Sequence, residues 1–156
     1  MTARLASLQD AKRLRSTLGA AFWDDPVWHY TIGSGRNFER RVGVLMGIAA
    51  KTSLRQNTVW TAGDGDAFAV WSPPPMPPKD NVKDQLLSLP QAAWAAGRHA
   101  GRGIKVLEAM RRQHPHDRPH WYLAILGTHP SAQGKGIGSA ALTPVLRRCD
   151  EHLEAA

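Results

Sequence analysis

Apolar residues return every three or four positions at Leu8, Ala11, Leu14, Leu18 and Ala21, so the stretch from Leu8 to about Phe22 predicts an amphipathic helix. Ser7 and Asp10 stand at its start with the spacing of a capping pair, behind a short opening strand in "TARLAS". In "DDPVW" the proline follows two aspartates, which marks a loop running into a new helical turn. From Arg36 to Arg55 the helical period resumes at Phe38, Val42, Leu45, Met46, Ala49 and Leu54. The period then changes. Val59 to Thr61 and Phe68 to Trp71 are two short apolar runs separated by "GDGD", the pattern of a β-hairpin. Pro73, Pro74, Pro75, Pro77 and Pro78 cannot continue a sheet, so the chain should leave it there as an extended connector. Residues 80 to 113 read as helix in two pieces broken near Gly97 to Gly103. "HPHDRPH" reads as a loop, His120 to Thr128 as a strand and Ser139 to Leu153 as a helix. No internal repeat is present. The order of elements predicts a mixed α/β (α+β) layout in one domain spanning residues 1–156.

Composition narrows this reading. The chain has 156 residues, 42% of them hydrophobic and 21% charged, enough for one real core. Its formal net charge of +7 favours an anionic partner such as a nucleotide cofactor or a nucleic acid. Cys149 has no second cysteine to pair with, which suits a reducing cytoplasm. The opening "MTARLASLQDAKRL" lacks the layout of a signal peptide, and no window approaches the roughly 18 apolar residues that a membrane span requires. A soluble cytoplasmic protein without a membrane partner is expected.

The strongest chemical signal lies between the last strand and the last helix, in "QGKGIG" at Gln133 to Gly138. Glycines turn a backbone tightly and bare its amides, while the first turn of a helix offers unpaired N–H donors and the positive end of its dipole. With Lys135 beside them these groups form a cradle for a phosphate or pyrophosphate. The glycines at 134, 136 and 138 fit neither a P-loop nor the dinucleotide fingerprint, so ATP hydrolysis and NAD binding are not favoured. A plain glycine-rich turn is the competing reading.

"GTHPSAQGKGIGSAAL" resembles the Q/R-x-x-G-x-G/A signature of the GNAT superfamily of N-acetyltransferases, with Gln133, Gly136 and Gly138 on its defining positions. Within that superfamily, "RPHWYLAILGTHPSAQGKGIGSA", "VWTAGDGDAFAVWSPPP" and "AAFWDDPVW" resemble segments of the puromycin N-acetyltransferases and their actinobacterial relatives. The resemblance implies a GNAT-like central, mostly antiparallel sheet flanked by helices. It also implies transfer of an acetyl group from acetyl-coenzyme A to a primary amine of a small molecule, such as an aminonucleoside antibiotic, hence a role in antibiotic resistance.

Carried over residue by residue, the resemblance implies pyrophosphate donors at Gln133, Gly134, Lys135, Gly136, Ile137, Gly138 and Ser139, and pantetheine contacts at Leu126, Gly127 and Thr128. It implies a β-bulge at Gly127, with the Leu126 amide as an oxyanion donor. A protonated amine cannot attack, so a base is needed; His120 stands near where some members carry a glutamate, with strand capping as its alternative role. Asp25, Trp28 and Tyr30 fall in the region that lines the acceptor site of the family.

One departure matters. In the family further strands and a helix follow, carrying a general-acid tyrosine, whereas this sequence stops at Ala156. The expectation is a C-terminally shortened fold with an exposed sheet edge that pairs with a second copy, or a remnant that binds coenzyme A without turnover. His114, His116 and His120 lack companions for a tetrahedral zinc site, so no metal is expected. The basic groups "GRHAGRGIK", "MRRQH" and "VLRRC" read as solvated helix faces and not as a nucleic-acid patch. Trp60, Trp71 and Trp121 read as core residues of strands, and Cys149 as a half-buried structural thiol.

Overall fold

A computed structural model describes residues 2–74, 82–115, 119–152 and 155–156. Strand β1 (Arg4–Leu5) leads through a 3-10 turn (Leu8–Asp10) into α1 (Ala11–Ala21), followed by α2 (Pro26–Ile32), α3 (Phe38–Ala49) and α4 (Lys51–Arg55). The hairpin is β2 (Val59–Ala62) and β3 (Ala67–Ser72), turning at Gly63 to Asp66. Helices α5 (Val82–Ala96) and α6 (Ala100–Gln113) flank a 3-10 turn (Gly97–His99), and β4 (Tyr122–Thr128) precedes α7 (Ile137–His152). Of the expected proline connector, Pro75, Pro77 and Pro78 lie outside the described residues, as do His116 in the expected loop and Leu153 at the expected end of the last helix.

The four strands form one antiparallel sheet in the order β1-β2-β3-β4. All six residues of β3 are buried, because helices cover both faces of the sheet. On one face Val59, Phe68, Val70 and Ile125 meet Leu14 and Leu18 of α1 and Val42 and Met46 of α3. On the other, Ala67, Ala69, Trp71, Leu123 and Leu126 meet Ile137, Ala141, Val145 and Cys149 of α7. Trp71 and Cys149 are thus core residues, and Trp60 is half-buried against the same cluster. Trp121 stands one residue before β4 and is likewise half-buried against that cluster, with the Arg148 guanidinium 5.3 Å from its ring centre.

The helix expected over 36–55 is two helices, with the fully buried Ala50 at the junction. No glycine or proline marks the break, so the periodicity runs through it. Helices α1 and α3 pack closely, and at Gly43 a Cβ would lie 2.2 Å from the Arg15 carbonyl oxygen of α1.

The 3-10 turn that leads into α1 is fastened as its sequence suggests. Ser7 Oγ accepts from the Gln9 amide, and Asp10 Oδ2 accepts from the Ser7 amide at 2.8 Å, completing a capping box. Arg4 donates to both Asp10 oxygens, at 2.9 and 2.7 Å. The Arg4 guanidinium, with the Ser7 amide second to it, outweighs partial burial and holds the Asp10 carboxyl down at about 2. An unfolded aspartate titrates near about 3.9, so this stabilisation is complete above that pH and is lost as pH falls through about 2. Asp10→Asn is therefore expected to lower the melting temperature at pH 6 and to show a smaller further drop between pH 5 and pH 2.5 than the parent chain. Parallel melting curves for the two proteins check this.

Candidate functional site

β4 is one of the two edge strands of the sheet, and the glycine loop carries the chain from its end into α7. Gly134 and Gly136 have φ of +74° and +73°, in the left-handed region that side chains disfavour. Nothing lies within 4 Å of where a Cβ would stand at either residue, so the loop presents bare backbone to solvent. Gly138 serves a different purpose: its Cβ would lie 2.8 Å from Thr128 Oγ1, so its absence lets α7 begin tight against the end of β4.

The donors follow from helix geometry. Among the described residues, no backbone hydrogen bond is donated by Gly134, Lys135, Gly136, Ile137, Gly138 or Ser139; the first such bond at the head of α7 runs from the Ala140 amide to the Gly136 carbonyl at 3.0 Å. These six amides and the positive end of a sixteen-residue helix converge on one loop. Lys135 adds a charge at its mouth while donating through Nζ to the Ser131 carbonyl at 2.9 Å.

Gln133 makes hydrogen bonds within the chain itself. Its side-chain amide donates to the Thr128 carbonyl at 3.2 Å and its backbone amide to the Pro130 carbonyl at 3.4 Å. With both groups engaged, it ties the loop to the strand, and the open donors begin at Gly134. A second tie was not legible from the sequence: the His129 amide donates to the Asp66 carbonyl at 2.7 Å, and Asp66 in turn accepts from Arg13 at 2.7 Å. The "GDGD" turn of the hairpin thus helps to seat the loop.

The bulge in β4 falls at Ala124, not at Gly127. Val70 pairs with Ile125 and Trp71 with Leu123, leaving Ala124 unpaired. The extra residue changes the phase of the strand, so that Leu123 and Leu126, three apart, both face α7, while Ile125 faces the α1 side. Gly127 is in register opposite Phe68, and its missing Cβ is required by packing: it would stand 2.5 Å from Leu18 Cδ2 and 3.2 Å from Ala21 of α1 and from Phe22 just after it. Leu126 pairs with Ala69, and Thr128 with Ala67 at the mouth of the hairpin.

His120 is half-buried, two residues before β4, in a parallel bridge with Ala155; the Trp121 amide donates to the Ala155 carbonyl at 2.8 Å. Its ring lies 5.0 Å from that of His114, which meets Tyr122 edge-on at 4.6 Å. Beyond that bridge, the edge of β4 facing away from β3 has no partner strand among the described residues. No group of metal-ligating side chains occurs among the described residues, and none of their helices is long and apolar enough to cross a membrane.

The three candidate acceptor residues lie on and just before α2. Asp25 caps that helix, its Oδ1 accepting from the Val27 and Trp28 amides at 2.8 and 3.1 Å. Trp28 packs partly against the core. Tyr30 is exposed, with the Arg102 guanidinium 5.3 Å from its ring centre, so the cation beside that aromatic face comes from the chain itself.

The model of the acetyltransferase (GNAT) family matches residues 66–156. An uncharacterized N-acetyltransferase of Schizosaccharomyces pombe is 23% identical over 164 residues, 97% of this chain and 65% of that protein, so the chain spans just under two thirds of the relative's length. A solved Corynebacterium glutamicum protein described as histone acetyltransferase HPA2 and related acetyltransferase shares the fold with a TM-score of 0.62 and 24% identity, over 95% of this chain and 71% of that one. Mosquito arylalkylamine N-acetyltransferase like 5b does so at 0.50 and 15%, over 96% and 71%. With a family match over more than half of its length, running from the hairpin turn through β4, the glycine loop and α7, the chain belongs to the GNAT family of acetyltransferases.

Proposed function

We propose that this chain binds acetyl-coenzyme A on the glycine loop and transfers its acetyl group to the primary amine of a small molecule. The observation that carries the reading is the row of undonated amides from Gly134 to Ser139, on a loop that carries no Cβ at Gly134 and Gly136 and has open space there. Such a cradle fits a diphosphate, because several donors and a helix dipole meet two anionic groups without a side chain intervening.

When bound, acetyl-coenzyme A supplies an activated acetyl thioester. The residues of this chain do the rest. Gly134, Lys135, Gly136, Ile137, Gly138 and Ser139 hold the diphosphate, Gln133 fixes the shape of the loop, and the open edge of β4 at Leu126, Gly127 and Thr128 offers backbone groups to the arm that follows. Ala124, where the backbone leaves the ladder, lies about 13 Å along the strand from Thr128 at about 3.3 Å per residue, toward His120. His120 takes the proton of the acceptor amine at an imidazole nitrogen, freeing the lone pair for attack. Asp25, Trp28 and Tyr30 line the acceptor side. The resemblance of three sequence segments to puromycin N-acetyltransferases supports an aminonucleoside amine as acceptor.

Calorimetric titration with acetyl-coenzyme A, followed by thiol release with puromycin and a panel of amines, tests the reading. Micromolar binding with amine-dependent thiol release is the expected result. Binding without release for any amine would leave a coenzyme A-binding remnant, and absence of binding would overturn the cofactor assignment.

A further inference from the structure

Helix α6 has no buried residue, although it is fourteen residues long. Two rows of side chains explain what its surface is suited to. Arg98, just before the helix, and Arg102, Lys105 and Arg112 along it follow one side, and they line two shallow grooves that share Lys105, the first of about 490 Å³. At about 1.5 Å per residue this cationic row is about 21 Å long. From Gly97 to Gln113 there are five arginines and lysines against one acid, Glu108, which pairs with Arg112. Partial burial and then the guanidiniums of Arg102, Arg98 and Arg41 hold the His99 imidazole below the usual histidine range.

The second row is apolar. Ile104, Leu107 and Met110 are 65%, 67% and 53% exposed, and the preceding helix α5 bares Leu86, Leu87, Leu89 and Trp94. Trp94 lies 5.3 Å from the Arg40 guanidinium, and Tyr30 meets Arg102 in the same way, so aromatic rings and cations stand together at the border of the patch. A solvated helix face would not carry this many large apolar side chains in water.

We propose that the α5–α6 face docks onto an anionic lipid surface, with α6 lying in the plane of the interface. The charge pattern selects this occupant. A second copy of the chain would bring like-charged rows together, and a nucleic acid would meet the cations but leave Ile104, Leu107 and Met110 in water. An anionic bilayer satisfies both rows: its headgroups meet the arginines and lysines, and the boundary of its acyl chains takes up the apolar ones. The absence of a spanning helix among the described residues is no obstacle, because such a helix lies on the membrane and does not cross it.

Co-sedimentation of the purified chain with vesicles of phosphatidylcholine, with and without phosphatidylserine, tests the proposal. Binding is expected only when phosphatidylserine is present, and should weaken at high salt. Two double variants, Arg102→Glu with Lys105→Glu and Ile104→Glu with Leu107→Glu, should each lower the partition coefficient by about tenfold or more. All four side chains are exposed, and the contact of Arg102 with Tyr30 lies at the surface, so both variants should stay folded, with melting temperatures within a few degrees of the parent's. Failure to sediment with anionic vesicles, or unchanged sedimentation of the apolar variant, would overturn the proposal. So would RNA binding that the charge variant weakens while the apolar variant does not, which would assign the face to nucleic acid. A dimer that light scattering shows to be dissolved by the apolar variant would assign it to a second copy.

Discussion

Gly136→Asp is expected to lower the affinity for acetyl-coenzyme A by about a hundredfold or more while leaving the fold in place. Charge accounts for the loss: a carboxylate held about 5 Å from a phosphate costs about 3 kcal/mol at the effective dielectric of a protein surface, and about 1.4 kcal/mol corresponds to tenfold in Kd. The substitution meets no steric obstacle, since nothing lies within 4 Å of the new Cβ. It does meet a conformational one, because φ is +73° there, and a left-handed aspartate costs about 1 kcal/mol or somewhat more. A melting temperature lowered by a few degrees, together with lost binding by calorimetry, is the expected pair of results. Retained affinity would show that the loop is a turn and not a cradle.

Gly43→Ala should have the largest effect on stability. Its Cβ would lie 2.2 Å from the Arg15 carbonyl oxygen, and backbone cannot rotate away as a side-chain tip can. Helices α1 and α3 must separate, loosening the cluster of Leu14, Leu18, Val42 and Met46 between them. Overpacking of this kind costs about 3 kcal/mol, which for a domain of this size lowers the melting temperature by about 10 °C. Thermal denaturation of the variant checks this, and an unchanged melting temperature would mean that the helices cross less closely. At Gly101, with nothing within 4 Å, the same change should produce no such loss.

The sequence marks the elements whose local chemistry is self-contained. The capping box at Ser7 and Asp10, the aspartate–proline start of α2, the "GDGD" hairpin and the glycine loop each depend on neighbours a few residues away, and each forms as expected. What escaped it depends on tertiary packing. The bulge at Ala124 lies in "YLAILG", where apolar residues occur without alternation, so nothing marks a change of phase. Gly127 was legible as a glycine with a reason, but the reason is the α1 side chain Leu18, more than a hundred residues away in the chain. The tie from His129 to Asp66 joins backbone groups, which leave no trace in side-chain identity. The hydrogen bonds of Gln133 to Thr128 and Pro130 likewise have no signature in side-chain identity.

The pairing of Ala67 with Thr128 has a kinetic consequence. β3 meets β2 across a four-residue turn, but it meets β4 only after α5 and α6 have been traversed, a contact whose loop entropy must be met before the strand returns anything. Hairpin and helices can therefore assemble while β4 and the loop behind it are still unplaced, and the closing of that edge is expected to be a late step, as is the pairing of β1 with β2 across a comparable length of chain. A ligand seated on the loop then stabilises what closes late. Its effect falls on the rate of opening and leaves the rate of assembly almost untouched, so a saturated chain gains its longer life chiefly as kinetic stability.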